Sequence, residues 1–254
     1  MSKPIKFVAC GDNHGDRHDP EAVDALLEYC KKENFNPDVR IHLGDCFDLR
    51  SLRSQAKDKE ANESLKEDLQ EGVKFLRKFS PDVWLWGNHE ARLDHTIESS
   101  GDAKEVDYCQ GIKDELMREA RKIGCSKVLP YHADLGVFEL GRVAFAHGYS
   151  HSTRAVQEQG AHYAQRGGGF VCGHIHRLEM VALRKWGGGA AYSAGCLCQK
   201  EAMTYASHRL GSAMWGSGFA AGWIDGKDWK VTLIHKVGRK WVFQTDLKLY
   251  DPSK

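Results

Sequence analysis

Five short apolar runs in this chain end in the same way, and that repeated ending limits the fold more than any other feature. Residues 5–10 run into Gly11-Asp12-Asn13-His14. Residues 39–43 run into Gly44-Asp45-Cys46-Phe47-Asp48, and residues 83–86 into Gly87-Asn88-His89-Glu90. Residues 143–146 lead to His147-Gly148, and residues 170–172 to Gly173-His174-Ile175-His176. A continuous short apolar run bounded by turn residues reads as a buried strand. Glycine beside each polar residue lets the backbone turn sharply and approach closely. Any one of these endings is a plain turn, because Gly, Asp and Asn are the usual turn residues. Five in order are better explained by strands that share one sheet edge, where open α/β sheets place their ligands.

The segments between these runs support an α/β chain. Asp19-Pro20-Glu21 is a helix start, with a capping acid, proline at the first position and an acid in the first turn. Val23, Leu26, Leu27 and Cys30 follow at helical spacing. Leu65, Leu69, Val73 and Leu76 recur every three or four residues, and Ser80-Pro81 ends that helix. A further helix is expected over 106–123, stopped by Gly124. From Lys127 the texture turns strand-rich, with strands expected at 128–129, 137–140 and 143–146 and a tight turn at Gly141-Arg142. A helix over 153–165 is closed by the glycines at 167–169. Strands follow at 170–172, 180–184, 190–193, 218–224, 229–236 and 241–245. The polar stretch 50–64, with Arg50, Arg53, Lys57, Lys59, Glu60 and Glu63, reads as a solvated helix face, and a mobile basic flap is the alternative.

At 254 residues the chain fits one domain spanning 1–254. Its net charge of +1 implies no global attraction to nucleic acid or membrane. The leading residues are too few for a signal peptide and no run reaches membrane-spanning length, so a cytoplasmic location is expected. The eight cysteines are then buried thiols rather than disulfides. Cys196-Leu197-Cys198 lacks a second pair at zinc-finger spacing and reads as core or strand packing. Cys46 and Cys172 should point from the strand ends into the core.

The polar residues at the strand ends form a chemical set: two carboxylates, an amide and four imidazoles, with no thiolate. Such O/N ligation suits Mn, Fe, Zn or Ni. Seven ligands exceed the needs of one ion, whereas two ions sharing a carboxylate use them all. Two metals about 3.5–4 Å apart are the arrangement for in-line phosphoryl displacement.

The order D-x-H, GD-x-x-D, GNHE, HG, GHxH, running from Asp12 to His176, resembles the calcineurin-like metallophosphoesterases. The resemblance implies a four-layer α/β/β/α sandwich with a dinuclear site at the strand ends. It assigns Asp12, His14 and His176 to a first metal and Asn88, His147 and His174 to a second, with Asp45 bridging. The ions are two divalent cations, manganese first, then iron, zinc or nickel. It also implies in-line attack on phosphorus by a metal-bridging hydroxide. His89 matches the family's leaving-group acid, Asp48 the carboxylate that orients it, and Glu90 a support behind the ligands.

One departure separates the chain from the phosphoprotein phosphatases, which read GD-x-VDRG. Here the segment is GDCFDLR, with Leu49 after Asp48 and Arg50 one position late. Arg50, Arg92 and His151 are candidate substrate-binding residues, with Arg53 a further arginine within range. His42, His95, His132 and His208 match no motif and are given ordinary surface or core roles. Trp215 is assigned to packing, with base stacking as the minor alternative. The expected activity is phosphodiester hydrolysis on a nucleotide or nucleic-acid type of substrate. A phosphomonoesterase or phosphoprotein phosphatase is the alternative enzyme. A protein-binding scaffold, as in a retromer subunit of this fold, is the alternative from another class. Substrate identity and oligomeric state stay open.

Overall fold

Strand β1 (Ile5–Cys10) shows why an unbroken apolar run is needed here: its last four residues are buried on both faces. Phe7 and Ala9 point one way and Val8 and Cys10 the other, as strand alternation requires. In the computed structural model, which describes residues 3–53, 63–203 and 213–243, β1 is the centre of a seven-stranded sheet. Parallel strands β2 (Val39–His42), β3 (Val83–Leu85) and β4 (Lys127–Leu129) extend it on one side.

The second sheet contains β5 (Phe138–Leu140), β6 (Val143–Ala146), β7 (Gly169–Cys172), β8 (Leu178–Ala182) and β9 (Ala190–Ala194), in the order β5-β6-β7-β9-β8. Antiparallel β10 (Gly218–Asp225), β11 (Asp228–Val237) and β12 (Lys240–Trp241) complete the first sheet beyond β1.

Helices cover the outer faces. Helix α1 (Pro20–Tyr29) is capped by Asp19, whose side chain accepts from the Glu21 amide. Helices α2 (Leu65–Phe79) and α4 (Ala103–Lys122) also lie on the first sheet, with α3 (Ala91–Ser99) between β3 and α4 in the chain. Leu26, Phe75, Leu76 and Leu116 pack there against Val8 and Trp84. Helix α5 (Ala155–Tyr163) covers the second sheet through Ala155, Val156, Phe170 and Ala191. Phe7 and Phe145 meet edge to face at 5.1 Å between the sheets. The layers are therefore α/β/β/α, as expected.

Several boundaries differ from the expectation. Helix α4 begins at Ala103 rather than 106, because Asp102 caps it by accepting from the Lys104 amide. Helix α3 was hidden inside the GNHEAR run, since only Leu93 and Thr96 on it are buried. Arg50–Leu52 is a 3-10 turn with Arg50 buried, not part of a solvated helix face. Lys57, Lys59, Glu60 and His208 lie outside the described residues, as does the expected strand from 244 onward. All eight cysteines are free, with Cys125 partly exposed and the others buried. Among the described residues no helix is long and apolar enough to cross a membrane.

The topology gathers the strand ends. Cys10 pairs with His42 and His42 with Trp84, so three strands of one sheet finish level with each other. Ala146, Cys172 and Ser193 do the same in the other sheet, so the five endings lie on the edges of two facing sheets rather than on the single edge expected. Helix α2 braces the turn after β2 through Phe47, which stands against Gly72. A Cβ at Gly72 would lie 2.3 and 2.4 Å from two carbons of that ring. Alanine would gain roughly 0.5–1 kcal/mol of helix preference over glycine, but the fully buried ring leaves no room. Overpacking dominates, so Gly72→Ala should destabilise the protein by about 1–2 kcal/mol. A lowered urea midpoint with unchanged slope is the expected reading.

Candidate metal centre

Five of the seven expected ligand residues have left-handed backbone conformations: Asp12, His14, Asp45, His174 and His176, with φ between 51° and 68°. Such strain costs on the order of 1–3 kcal/mol per residue and persists only where surroundings over-determine it. Here the surroundings are hydrogen bonds between strand ends. The Asp12 amide donates to the Gly44 carbonyl at 2.9 Å, His14 to Asp45 at 3.1 Å and Gly15 to Cys46 at 2.9 Å. The Glu90 carboxylate accepts four backbone N–H bonds, from Asp45 (2.9 Å), Cys46 (2.7 Å), Phe47 (3.1 Å) and Gly87 (2.8 Å). The His89 amide returns a bond to Asp45 Oδ1 at 2.9 Å. Across the sheets, the His174 amide donates to Asp12 at 3.0 Å. Two glycines are required by these approaches. A Cβ at Gly87 would stand 2.1 Å from Asp45 Oδ1, and one at Gly173 would stand 2.4 Å from Asp12 Oδ2.

The side chains then form two groups. In the first, His176 Nε2 lies 3.1 Å from Asp12 Oδ1 and 3.3 Å from His14 Nε2. In the second, His147 Nε2 lies 3.0 Å from Asn88 Oδ1, 3.1 Å from His174 Nδ1 and 3.3 Å from Asp45 Oδ2. Asp45 also has an oxygen within 4.8 Å of a ring nitrogen of His14 and of His89, so it stands between the groups. All seven expected ligands are brought together, and all but Asn88 are buried.

The donor set fits divalent cations. His147 Nε2 faces two oxygens and a ring nitrogen but has at most one proton to offer them. Three lone-pair donors therefore converge without enough hydrogens. Electrostatics point the same way. Burial disfavours charge on His147, yet the adjacent Asp45 carboxylate raises it to about 9. Burial pushes His174 down to about 3, with the charge on His147 adding to the shift. The acids thus draw a proton into the centre, and a cation taking that place would release it.

Beside the centre, His89 is held by its Nδ1, 2.9 Å from Asp48 Oδ1 and 2.7 Å from the Asp48 carbonyl. Its Nε2 points inward, 3.7 Å from Asp45 Oδ2 and 3.1 Å from Arg92 Nη2. Burial opposes charge on Asp48, but the His14 and His89 imidazoles hold it well below the usual carboxylate range. His14 Nδ1 is 3.5 Å from Asp48 Oδ1 and has no hydrogen-bond partner among the described residues.

The three expected substrate residues divide. Arg92 reaches the centre, and its Nη1 also donates to the Asp48 carbonyl at 2.6 Å. His151 is exposed, its ring 4.2 Å from that of His174. Arg50 is elsewhere. Its guanidinium is buried against Asp16 (2.7 and 2.8 Å), Glu63 (2.6 Å) and Asp48 (3.4 Å), so it faces protein carboxylates rather than an opening.

Other participants escaped the sequence reading. Asp68 of α2 accepts from the amides of Asp48 (2.9 Å) and Leu49 (2.6 Å), and burial raises it to about 6. Arg17 lies 3.7 Å from Asp48 and 2.9 Å from Glu63. Cys198 packs in a small buried cluster with Cys196 and Met203, as expected, and its sulfur also lies 4.0 Å from His176 Nδ1. Gly195 after the apolar run of β9 repeats the strand-end pattern and is the signal for it. Trp215 lies edge-on to His176, 4.1 Å between ring centres. Cys46 and Cys172 point into the core, and Glu90 stands behind the ligands, as expected.

His42 joins the ends of β1 and β2. Its Nε2 donates to Asn13 Oδ1 at 2.8 Å, and its Nδ1 accepts from the Gly44 amide at 3.2 Å. Both partners need the neutral ring, and burial lowers its pKa to about 3. The unfolded chain binds this proton near pH 6.5 and the folded chain does not, so stability is present above 6.5 and lost as pH falls toward 3. The metal-free protein should show this slope in urea midpoints between pH 7 and 4, and His42→Gln should make it shallower, leaving the part that the depressed His174 contributes.

Comparison with known proteins agrees with this architecture. The family model for calcineurin-like phosphoesterases matches residues 5–178. The hypothetical protein PH1004 from Pyrococcus horikoshii OT3 has a similar structure, with 14% identity and a TM-score of 0.50 over 91% of this chain and 87% of that one. Zinc-complexed Vps29 from Entamoeba histolytica is 11% identical with a TM-score of 0.44, over 94% of this chain and 97% of that one. No curated protein matches the sequence. With more than half its length covered by one family model and the strand-end residues in place, the chain belongs to the calcineurin-like phosphoesterase family.

Proposed function

We propose that the chain is a metal-dependent phosphodiesterase acting on nucleotide or nucleic-acid type esters. Asp12, His14 and His176 would hold one divalent cation, Asn88, His147 and His174 a second, and Asp45 would serve both. Manganese is the first choice for an O/N set of this kind. When bound, two such cations supply positive charge to the phosphoryl oxygens and acidify water for in-line attack. Since ligands come from both sheets, the two sheets work as one domain. A cytoplasmic location fits the eight free thiols.

The observation that carries this reading is the placement of His89. Its Nδ1 is occupied by Asp48 and its Nε2 is turned toward the ligand cluster. In the free protein that nitrogen accepts from Arg92, and once a substrate phosphate takes Arg92 the ring carries a proton on Nε2 that it gives to a leaving oxygen. Arg92, 3.1 Å from that nitrogen, is placed to meet a phosphate oxygen when a substrate displaces it. Diester preference is supported by how Arg50 and Arg92 are placed among the described residues. Leu49 occupies the position after Asp48 and Arg50 is committed to carboxylates, leaving Arg92 to meet a monoanion.

Hydrolysis of bis-4-nitrophenyl phosphate beside 4-nitrophenyl phosphate tests the reading on metal-stripped protein refilled with Mn²⁺. Manganese-dependent cleavage of the diester above the monoester is expected. His89→Ala should lower the diester rate by about tenfold, below the roughly 10²–10⁴ usual for a general acid because nitrophenolate leaves with little help. Cleavage of the monoester alone would favour a monoesterase. Metal binding without cleavage of either would favour a scaffold.

A further inference from the structure

Asp48 is gripped from three directions. One carboxylate oxygen faces the imidazoles of His89 (2.9 Å) and His14 (3.5 Å). The other faces Arg50 Nη1 at 3.4 Å and Arg17 Nε at 3.7 Å. Its backbone amide and that of Leu49 donate to the two oxygens of Asp68. Leu49 has φ 46°, a strained conformation for that residue, and the Asp68 bonds hold it there. The arginines are themselves anchored. Asp16 takes Arg50 in a two-bond fork, Glu63 bonds both guanidinium groups, and Arg17 also donates to the Ala202 carbonyl.

We propose that Arg50, Arg17 and Asp68 are positioning residues that lock the Asp48 carboxylate behind His89, and that Arg50 does not bind phosphate. Three features support this. Arg50 and Arg17 are 6% and 7% exposed, which leaves no face for a substrate. The forked pairing with Asp16 fixes the guanidinium plane, a geometry lysine cannot reproduce. A buried arginine pair on one oxygen leaves the other directed at His89 Nδ1, so the ring is held with Nε2 inward. The one-residue shift that puts Leu49 after Asp48 thus converts a residue beside the acid from a possible substrate ligand into part of the wall. The proposal rests on the phosphoesterase reading, in which His89 protonates the leaving oxygen.

The test compares methyl 4-nitrophenyl phosphate with methyl phenyl phosphate, two diesters that differ only in how much help the leaving group needs. Arg50→Met should reduce kcat about tenfold more on the phenyl ester than on the nitrophenyl ester, with KM little changed. His89→Ala should show the same selectivity, and the double variant should be no worse than His89→Ala alone. Arg50→Lys should recover only part of the loss. Asp16→Asn, which removes one side of the fork, should give a weaker form of the same pattern. It also decides the matter if Arg50→Met fails to fold. Equal losses on both esters, a raised KM and full additivity with His89→Ala would overturn the proposal. If the wild type cleaves neither ester, the functional reading fails and the clamp is judged separately by NMR on zinc-loaded protein. The hydrogen-bonded Nδ1 proton of His89, identified by its absence in His89→Ala, should be slow to exchange. It should exchange rapidly in Arg50→Met and Asp16→Asn, and its persistence in both would sink the clamp.

Discussion

The Glu90 carboxylate carries the centre. Each of its oxygens accepts two backbone amides, so all its principal acceptor positions are used. Three of those amides belong to the turn after β2 and one to the end of β3. A hydrogen bond to a charged group contributes about 1.5–3 kcal/mol, against on the order of 1–3 kcal/mol for the left-handed conformation of Asp45, and the cost of burying the Glu90 charge offsets part of that gain. Burial and the Asp45 carboxylate push Glu90 up to about 7, while the four donors favour its charged form. Without this acid, two strand ends would lose their common anchor, and Asp45 could not face His147 and His89 together.

From that anchor the polar interior extends outward in order. Asp45 and Asp12 each accept an amide from another strand end, from His89 and His174 respectively. The side chains expected to bind metal are therefore also the ties between loops. This explains why both glycines before those amides, Gly87 and Gly173, tolerate no Cβ. It also explains why so many buried ionisable groups are tolerated: nearly every one has a partner among the others, His147 beside Asn88 and His174, and His176 beside Asp12.

A second ring of charge lies behind the first. Asp16, Asp48 and Glu63 face Arg17 and Arg50, Asp68 takes the amides of Asp48 and Leu49, and together they join the turns after β1 and β2 to the first turn of α2. Its geometry is set by helix α2, which brings Asp68 under the amides of Asp48 and Leu49. Helix α2 thereby contributes to the centre without offering it a ligand. Its packing partner Phe47 lies in the same turn as Asp48, so the hydrophobic layer and the charged wall are adjusted together.

The sequence by itself showed most of the strands and the polar residue types at their ends, and its resemblance to a known family supplied the layers. Apolar runs and the glycines after them act locally, and their message survives without knowledge of the fold. The order Asp12, Asp45, Asn88, His147, His174 and His176 was legible for that reason. Tertiary structure decided what depends on competition between residues distant in the chain. Arg50 and Arg92 are alike as sequence, but Asp16 and Glu63 capture one and leave the other beside His89. Asp68 looks like one more acid on a polar helix until the turn of Asp48 lies over it. Cys198 packs as its sequence suggests, but only the threading of β9 between β7 and β8 also brings its sulfur beside His176. In each case the role is fixed by which partner lies within hydrogen-bond reach, and that distance exists only once the two sheets have closed on each other.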